Sequence, residues 1–282
     1  MIKKINFSVK NNIDKIISAD IRYPEASGQY PAVFIFHGFK GFKDWGFFPY
    51  LSEQLTAAGA ITICLNFSLN GMAESTDLVS SIDDFANNTV SQQLIDAETI
   101  INSFTKGKDE VFAEIKKIWN NEIYILGHSL GGGVAILVAN QLKEVQKIAL
   151  WASVGVFDRY TPRQKEIWRQ QGIMEFTNQR TQQVLKLNVI FLEDLEKNKI
   201  EYDLNEAISS LTIPVFFVHG REDLTITVKE VEKLAEASNK DNTDFHLIKS
   251  TGHTFGAEHP FKATTPALEN AISKTIDFFG LK

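Results

Sequence analysis

Gly127-His128-Ser129-Leu130-Gly131 sets a serine between two glycines, directly after the apolar run 123–126 and before the apolar stretch 134–142. A serine hydroxyl is a poor nucleophile until a base takes its proton, so what matters is where this pattern puts the oxygen. A sharp strand-to-helix turn holds its serine in a strained backbone conformation, with the hydroxyl raised above the sheet. Such a turn needs glycine two residues to either side, because a Cβ there would crowd it. The following helix would aim its free N–H groups at the serine and favour negative charge developing there. On a plainer reading the serine merely caps the helix, and Gly131-Gly132-Gly133 merely lets it pack closely.

Two downstream segments could complete a proton-transfer system. The apolar run 215–218 continues into His219-Gly220-Arg221-Glu222-Asp223, and the run 245–248 leads through Lys249-Ser250-Thr251-Gly252 to His253. A histidine just past the last strand suits a general base, so His253 is expected to take the Ser129 proton, with His259 as the fallback. Asp223 has room to turn back toward His253 and is expected to orient its imidazole, while Glu222 faces solvent. His37, His128, His219 and His246 are read as structural, His128 with its ring turned away from the serine. The oxyanion of an acyl-transfer transition state calls for two backbone N–H donors. Leu130 is one, and Phe39, in the turn His37-Gly38-Phe39-Lys40-Gly41, is the other. Phe42, His128, Trp168 and Phe176 are expected to line the substrate pocket. The plainer reading of the aromatics is core packing.

These residues must be carried on a scaffold that brings them to one rim. After two alternating stretches, 2–9 and 13–23, joined by a turn at Asn11-Asn12, short apolar runs alternate with helix-like stretches. The runs 32–36, 60–65, 123–126, 148–151 and 215–218 are continuous rather than alternating, as strands covered on both faces are. Residues 51–58, 94–104, 134–142, 228–237 and 268–279 supply the helices. This rhythm predicts an α/β fold: a mostly parallel, doubly wound sheet with an antiparallel N-terminal hairpin. Residues 154–210 break the rhythm. Pieces at 160–174, 179–187 and 191–197 look helical, so the segment is expected to be a small helical cap inserted into a core domain of residues 1–153 and 211–282. Otherwise it is a surface excursion with no part in binding.

The formal charge of −6, without a long block of one sign, argues against nucleic acid as a partner. No run approaches the roughly 20 apolar residues of a membrane span, and no apolar segment follows Lys3-Lys4 as in a signal peptide. The single cysteine, Cys64, rules out an intrachain disulfide, and with the missing signal it predicts a cytoplasmic protein. Cys64 itself reads as a buried strand residue. The histidines and the cysteine have no metal-ligand spacing, so neither metal nor organic cofactor is expected. The expected partner is a small-molecule ester, with the chain a monomer or homodimer.

From about residue 31 onward, the order His37-Gly38, Gly127-His128-Ser129-Leu130-Gly131, Asp223, His253 resembles the α/β-hydrolase superfamily. Within it the chain looks most like cytosolic serine esterases and dienelactone-hydrolase-like proteins, including cinnamoyl-ester hydrolases. That resemblance implies carboxylic ester cleavage through an acyl-enzyme. Dienelactone hydrolases proper have cysteine where Ser129 stands, which points away from lactone hydrolysis. Haloalkane dehalogenases have aspartate there. The loop Ser68-Leu69-Asn70-Gly71-Met72-Ala73-Glu74-Ser75 departs from the Gly-His-Gly-x-Ser of many relatives. Two competing readings are an exopeptidase or amidase of the same fold and a non-catalytic binding protein. The acidic cluster the former would need for its substrate's amine could be read into Glu193, Asp194 and Glu196, which fit a solvated helix face better.

Overall fold

The computed structural model describes residues 1–72, 78–107 and 109–282, so Ala73, Glu74 and Ser75 of the loop after the fourth strand lie outside the described residues. In chain order the elements are β1 (Ile2–Lys10), β2 (Ile16–Pro24), β3 (Tyr30–Phe36), α1 (Phe48–Ala57), β4 (Ile61–Asn66), α2 (Ile82–Ala86), α3 (Val90–Lys106), α4 (Ala113–Ile118), β5 (Trp119–His128) and α5 (Leu130–Gln141). There follow β6 (Val145–Trp151), α6 (Pro162–Gln171), β7 (Ile173–Thr177), β8 (Val184–Asn188), α7 (Val189–Lys197), α8 (Leu204–Ser209), β9 (Val215–Gly220), α9 (Val228–Ala237), β10 (Thr243–Ile248) and α10 (Pro266–Phe279).

Among the described residues, eight strands form one sheet in the order β1-β2-β4-β3-β5-β6-β9-β10. β1 and β2 are antiparallel to each other, β2 is antiparallel to β4, and the remaining pairs are parallel. The continuous apolar runs are explained by burial on both sides. Along β5, Ile123 and Ile125 join the core under α3 and α5, whereas Tyr124 and Leu126 join the core under α1 and α10. Successive side chains of a strand take opposite faces, so both faces must be apolar when both are covered. α5 is buried from Leu130 through Ala139, as a helix apolar on all sides must be. Cys64 lies buried in β4, where removal from water raises its thiol to about 12.

The N-terminal turn is longer than expected. It takes residues 11–15, closed by Asn11 N–H donating to the Lys15 carbonyl at 2.9 Å, with Asp14 left-handed at φ 61°. Asn11 Oδ1 accepts from the Ile13 and Lys15 amides at 3.1 and 3.0 Å, so the side chain shapes a wider turn and β2 begins at Ile16.

The segment between β6 and β9 is not purely helical. Gly172 at φ 73° ends α6, and β7 and β8 then pair as an antiparallel hairpin from Ile173↔Asn188 to Thr177↔Val184. The stretch 179–187, expected as a helix, contains the hairpin's tip and most of its second strand. Leu185 and Leu187 are buried while Val184 and Lys186 are not, a period of two that is too short to stand out among Gln, Arg and Lys. Trp168 Nε1 donates to the Leu187 carbonyl at 3.1 Å and ties α6 to β8. The segment is fastened to the core at Asp194, whose carboxylate accepts from Ser91 N–H at 3.1 Å in the first turn of α3.

Candidate active site

Ser129 sits between β5 and α5 with φ 58° and ψ −120°, a left-handed backbone that costs a non-glycine residue on the order of 1–3 kcal/mol. The turn leaves no room around it. A Cβ on Gly127 would strike the Gly131 backbone, and one on Gly131 would strike the Phe36 and His37 carbonyls. A Cβ on Gly132 would meet Ser153, and one on Gly133 would meet Phe157, so the glycine run also brings α5 close to the chain after β6. Among the described residues Ser129 Oγ makes no hydrogen bond. The residue opens on a cavity of about 240 Å³ that His253 also lines.

His253 Nδ1 donates to Asp223 Oδ2 at 2.7 Å. A carboxylate can only accept, so Nδ1 carries the proton and Nε2 keeps the lone pair a base requires. Asp223 is held on its other oxygen, Oδ1, by the Thr225 and Ile226 amides at 2.8 and 2.9 Å. Burial pushes the Asp223 carboxyl up, but its bond to His253, the His253 charge and those two amides outweigh burial and hold it below the usual range. Buried His219 stands behind it, donating Nε2–H to the Ile226 carbonyl at 2.9 Å, with Nε2 3.6 Å from Asp223 Oδ2.

Two peptide planes beside the cavity are pinned through their carbonyls. The Gly38 carbonyl accepts from His37 Nδ1 and from Gly41 N–H, both at 2.9 Å. The Ser129 carbonyl accepts from Gly132 N–H at 3.0 Å and Val154 N–H at 3.1 Å. In a trans peptide the N–H points opposite to the C=O, so the Phe39 and Leu130 N–H groups are turned the other way. Neither donates to a backbone carbonyl among the described residues. His37 is thus more than a loop residue: Nε2 accepts from Phe67 N–H at 3.3 Å while Nδ1 fixes the turn.

The remaining expected residues divide. His128 lines the cavity, its ring edge-on to Phe47 and Phe48, and Nε2 bonds the His253 carbonyl at 3.0 Å. Phe42 does not line it; the residue is buried, with its ring edge-on to His259. Trp168 is buried under the hairpin and borders a separate depression of about 660 Å³ that none of Ser129, Asp223 and His253 lines. Phe176 does not line the cavity but packs behind two residues that do, its ring centroid 5.3 Å from that of Phe39 and 5.8 Å from Lys40 Nζ. His259 is engaged elsewhere, with Nδ1 accepting from Gly46 N–H at 2.8 Å. Glu222 is exposed. Phe48, one of the phenylalanines that closely follow the oxyanion turn, is a cavity wall; the walls that sequence reasoning missed include Trp45, together with Asn178 and Arg180 of the hairpin tip. Among the described residues, no group of three His, Cys, Asp or Glu side chains is placed to hold a metal ion. No helix there is long and apolar enough to cross a membrane.

Burial of two imidazoles gives the fold an acid limit. Loss of water lowers His37 to about 4, against a smaller upward pull from the Gly38 carbonyl, and lowers His128 to about 3. In the unfolded chain both protonate near 6.5, so between that pH and their folded values unfolding takes up protons. Their stability contribution is therefore complete above about pH 6.5 and is lost progressively as pH falls toward 4 and 3. Denaturant titration is expected to give an unfolding free energy about 4 kcal/mol lower at pH 5 than at pH 7.5, about 2 kcal/mol for each ring. Equal values at the two pHs would contradict the burial of these rings.

A mostly parallel eight-stranded sheet, with a serine elbow after β5 and an aspartate and a histidine beyond β9 and β10, is the α/β-hydrolase architecture. The sequence model of the dienelactone hydrolase family matches residues 17–281; the chain belongs to that family and is a hydrolase. Among solved structures it is similar to a putative hydrolase from Agrobacterium vitis, at 16% identity and TM-score 0.73, covering 99% of each chain. It is also similar to Est1E from Butyrivibrio proteoclasticus with ferulic acid bound, at 17% identity and TM-score 0.70, covering 97% of each chain. A dienelactone hydrolase from Anabaena variabilis aligns over 100% of this chain and 99% of its own, at 14% identity and TM-score 0.62. At such identities the likeness establishes the fold. No significant match is found among curated proteins.

Proposed function

We propose that this hydrolase is a serine esterase that cleaves carboxylic esters through an acyl-enzyme, with Ser129 as nucleophile, His253 as base and Asp223 as the acid that orients it. The observation that carries this reading is the 2.7 Å bond from His253 Nδ1 to Asp223, made by a histidine that shares a cavity with Ser129. His253 Nε2 takes the hydroxyl proton as Ser129 Oγ attacks the ester carbonyl, and the Phe39 and Leu130 amides receive the oxyanion. His253 then protonates the departing alcohol, and water attacks the acyl-enzyme by the same route. Phe39, Trp45 and Phe48 favour an apolar or aromatic acyl group, which agrees with the aromatic acid bound by Est1E. Serine in place of cysteine at the nucleophile favours esters over lactones.

The exopeptidase reading loses its amine site. Asp194 is bound to Ser91, Glu196 pairs with Arg169, and neither they nor Glu193 line the cavity. The test is labelling with a fluorophosphonate probe, followed by a panel of p-nitrophenyl esters. Native protein is expected to label at Ser129 and to hydrolyse esters, and protein that is folded yet never labels would overturn the proposal.

Gly38→Ala probes the oxyanion turn. The added Cβ would stand 2.8 Å from Ser129 Cβ and 3.3 Å from its Oγ, so turn and nucleophile must move apart. Displacements approaching 1 Å cost on the order of 10²-fold in rate. A loss of that order in kcat is expected with the circular dichroism spectrum unchanged; native kcat would mean that the turn does not serve the site.

A further inference from the structure

His128 is the last residue of β5 and the neighbour of Ser129, yet its hydrogen bond runs to the far side of the site. Its side chain follows Tyr124 and Leu126 onto the sheet face covered by α1 and α10. There the ring is held edge-on by Phe47 at 5.4 Å and Phe48 at 6.1 Å, and it is tilted against His253 at 4.8 Å. Nε2 lies 3.0 Å from the His253 backbone carbonyl, which can only accept, so the ring is the donor. The His253 loop is otherwise tied to the strap after β9 through Glu222 N–H to the Thr251 carbonyl and through the Asp223 side chain. Neither of those ties reaches β5 or the serine elbow.

We propose that His128 is a positioning residue whose imidazole sets the separation between the Ser129 elbow and the loop carrying His253. This rests on the serine-esterase reading. The two side chains that must exchange a proton follow strands separated in the sheet by β6 and β9, and the bond from the His128 side chain ties the end of β5 directly to the His253 backbone. A planar ring locked by two phenylalanines holds a fixed distance in a way a flexible side chain would not. The ring also stays uncharged, because burial first and the neighbouring His253 charge second keep it deprotonated. The tether therefore keeps one protonation state while His253 gains and loses its proton, and no second cation opposes the imidazolium.

The test compares His128→Phe, which keeps the ring's bulk but removes the donor, with His128→Gln, whose side-chain amide can restore a donor near Nε2. For His128→Phe, kcat on the best p-nitrophenyl ester is expected to fall about 10- to 100-fold, KM to stay within about threefold, and fluorophosphonate labelling to slow in step with kcat. His128→Gln is expected to recover most of the loss. Native kcat in His128→Phe, equal impairment of both variants, or a loss confined to KM would overturn the proposal. If native protein fails to label, the esterase reading itself has failed. Normal native labelling with unaltered variants removes only the role of His128.

Discussion

Ser129→Ala is expected to lower kcat on the best ester by on the order of 10⁶-fold and to abolish fluorophosphonate labelling without weakening the fold. The two effects separate because the hydroxyl and the backbone of this residue do different jobs. Among the described residues Oγ has no hydrogen bond, so truncation strands no buried partner. The contacts that hold the elbow are all main-chain: Ser129 N–H to the Trp151 carbonyl at 2.9 Å, and the Ser129 carbonyl to Gly132 and Val154. Alanine keeps each of them and bears the same left-handed strain. The melting temperature is therefore expected to be unchanged or slightly raised, as when a function-bearing polar group is removed from a strained site. The amides of Phe39 and Leu130 remain in place, so some turnover above the uncatalysed rate should persist. A variant that keeps more than about 1% of native kcat would mean that another group attacks the ester.

The sheet could be read from the chain because each central strand is an unbroken apolar run, and only a strand covered on both faces needs one. The elbow could be read because glycine at 127 is demanded by the Gly131 and Gly132 backbone a few residues on, although glycine at 131 answers to the distant Phe36 and His37 carbonyls. The residues left unread depend on contacts between distant segments. β7 and β8 are five residues each, and a polar outer face hides their alternation, so Asn178 and Arg180 went unnoticed as cavity walls. Trp168 and Phe42 have the size and apolarity of pocket residues. Which side of a hairpin or turn an aromatic occupies is decided by packing partners far along the chain, Leu187 for one and His259 for the other. The role of His37 was hidden for a related reason. Nothing at positions 37 and 38 tells that the imidazole grips the next carbonyl and so aims the Phe39 amide.

Asp223→Asn is expected to lower kcat by on the order of 10⁴-fold, and the reason lies in the two amides that hold Oδ1. Thr225 and Ile226 both donate to that oxygen, so an asparagine must keep its carbonyl there to avoid facing two N–H groups with a third donor. Its NH₂ then falls where Asp223 Oδ2 now meets His253 Nδ1. To accept from it, Nδ1 must give up its proton, and the neutral imidazole becomes the tautomer protonated at Nε2. That ring has no lone pair to offer Ser129, and the charge that would steady an imidazolium is gone as well. High pH is expected to recover part of the rate, because hydroxide can take over as base, whereas Ser129→Ala should show no such recovery. The double variant tests whether the residues act as one device. Adding Asp223→Asn to Ser129→Ala should cost almost nothing further, since a base misoriented toward an absent hydroxyl has nothing left to lose. Losses that instead multiply would place Asp223 in a separate role, as a support of the loop after β9.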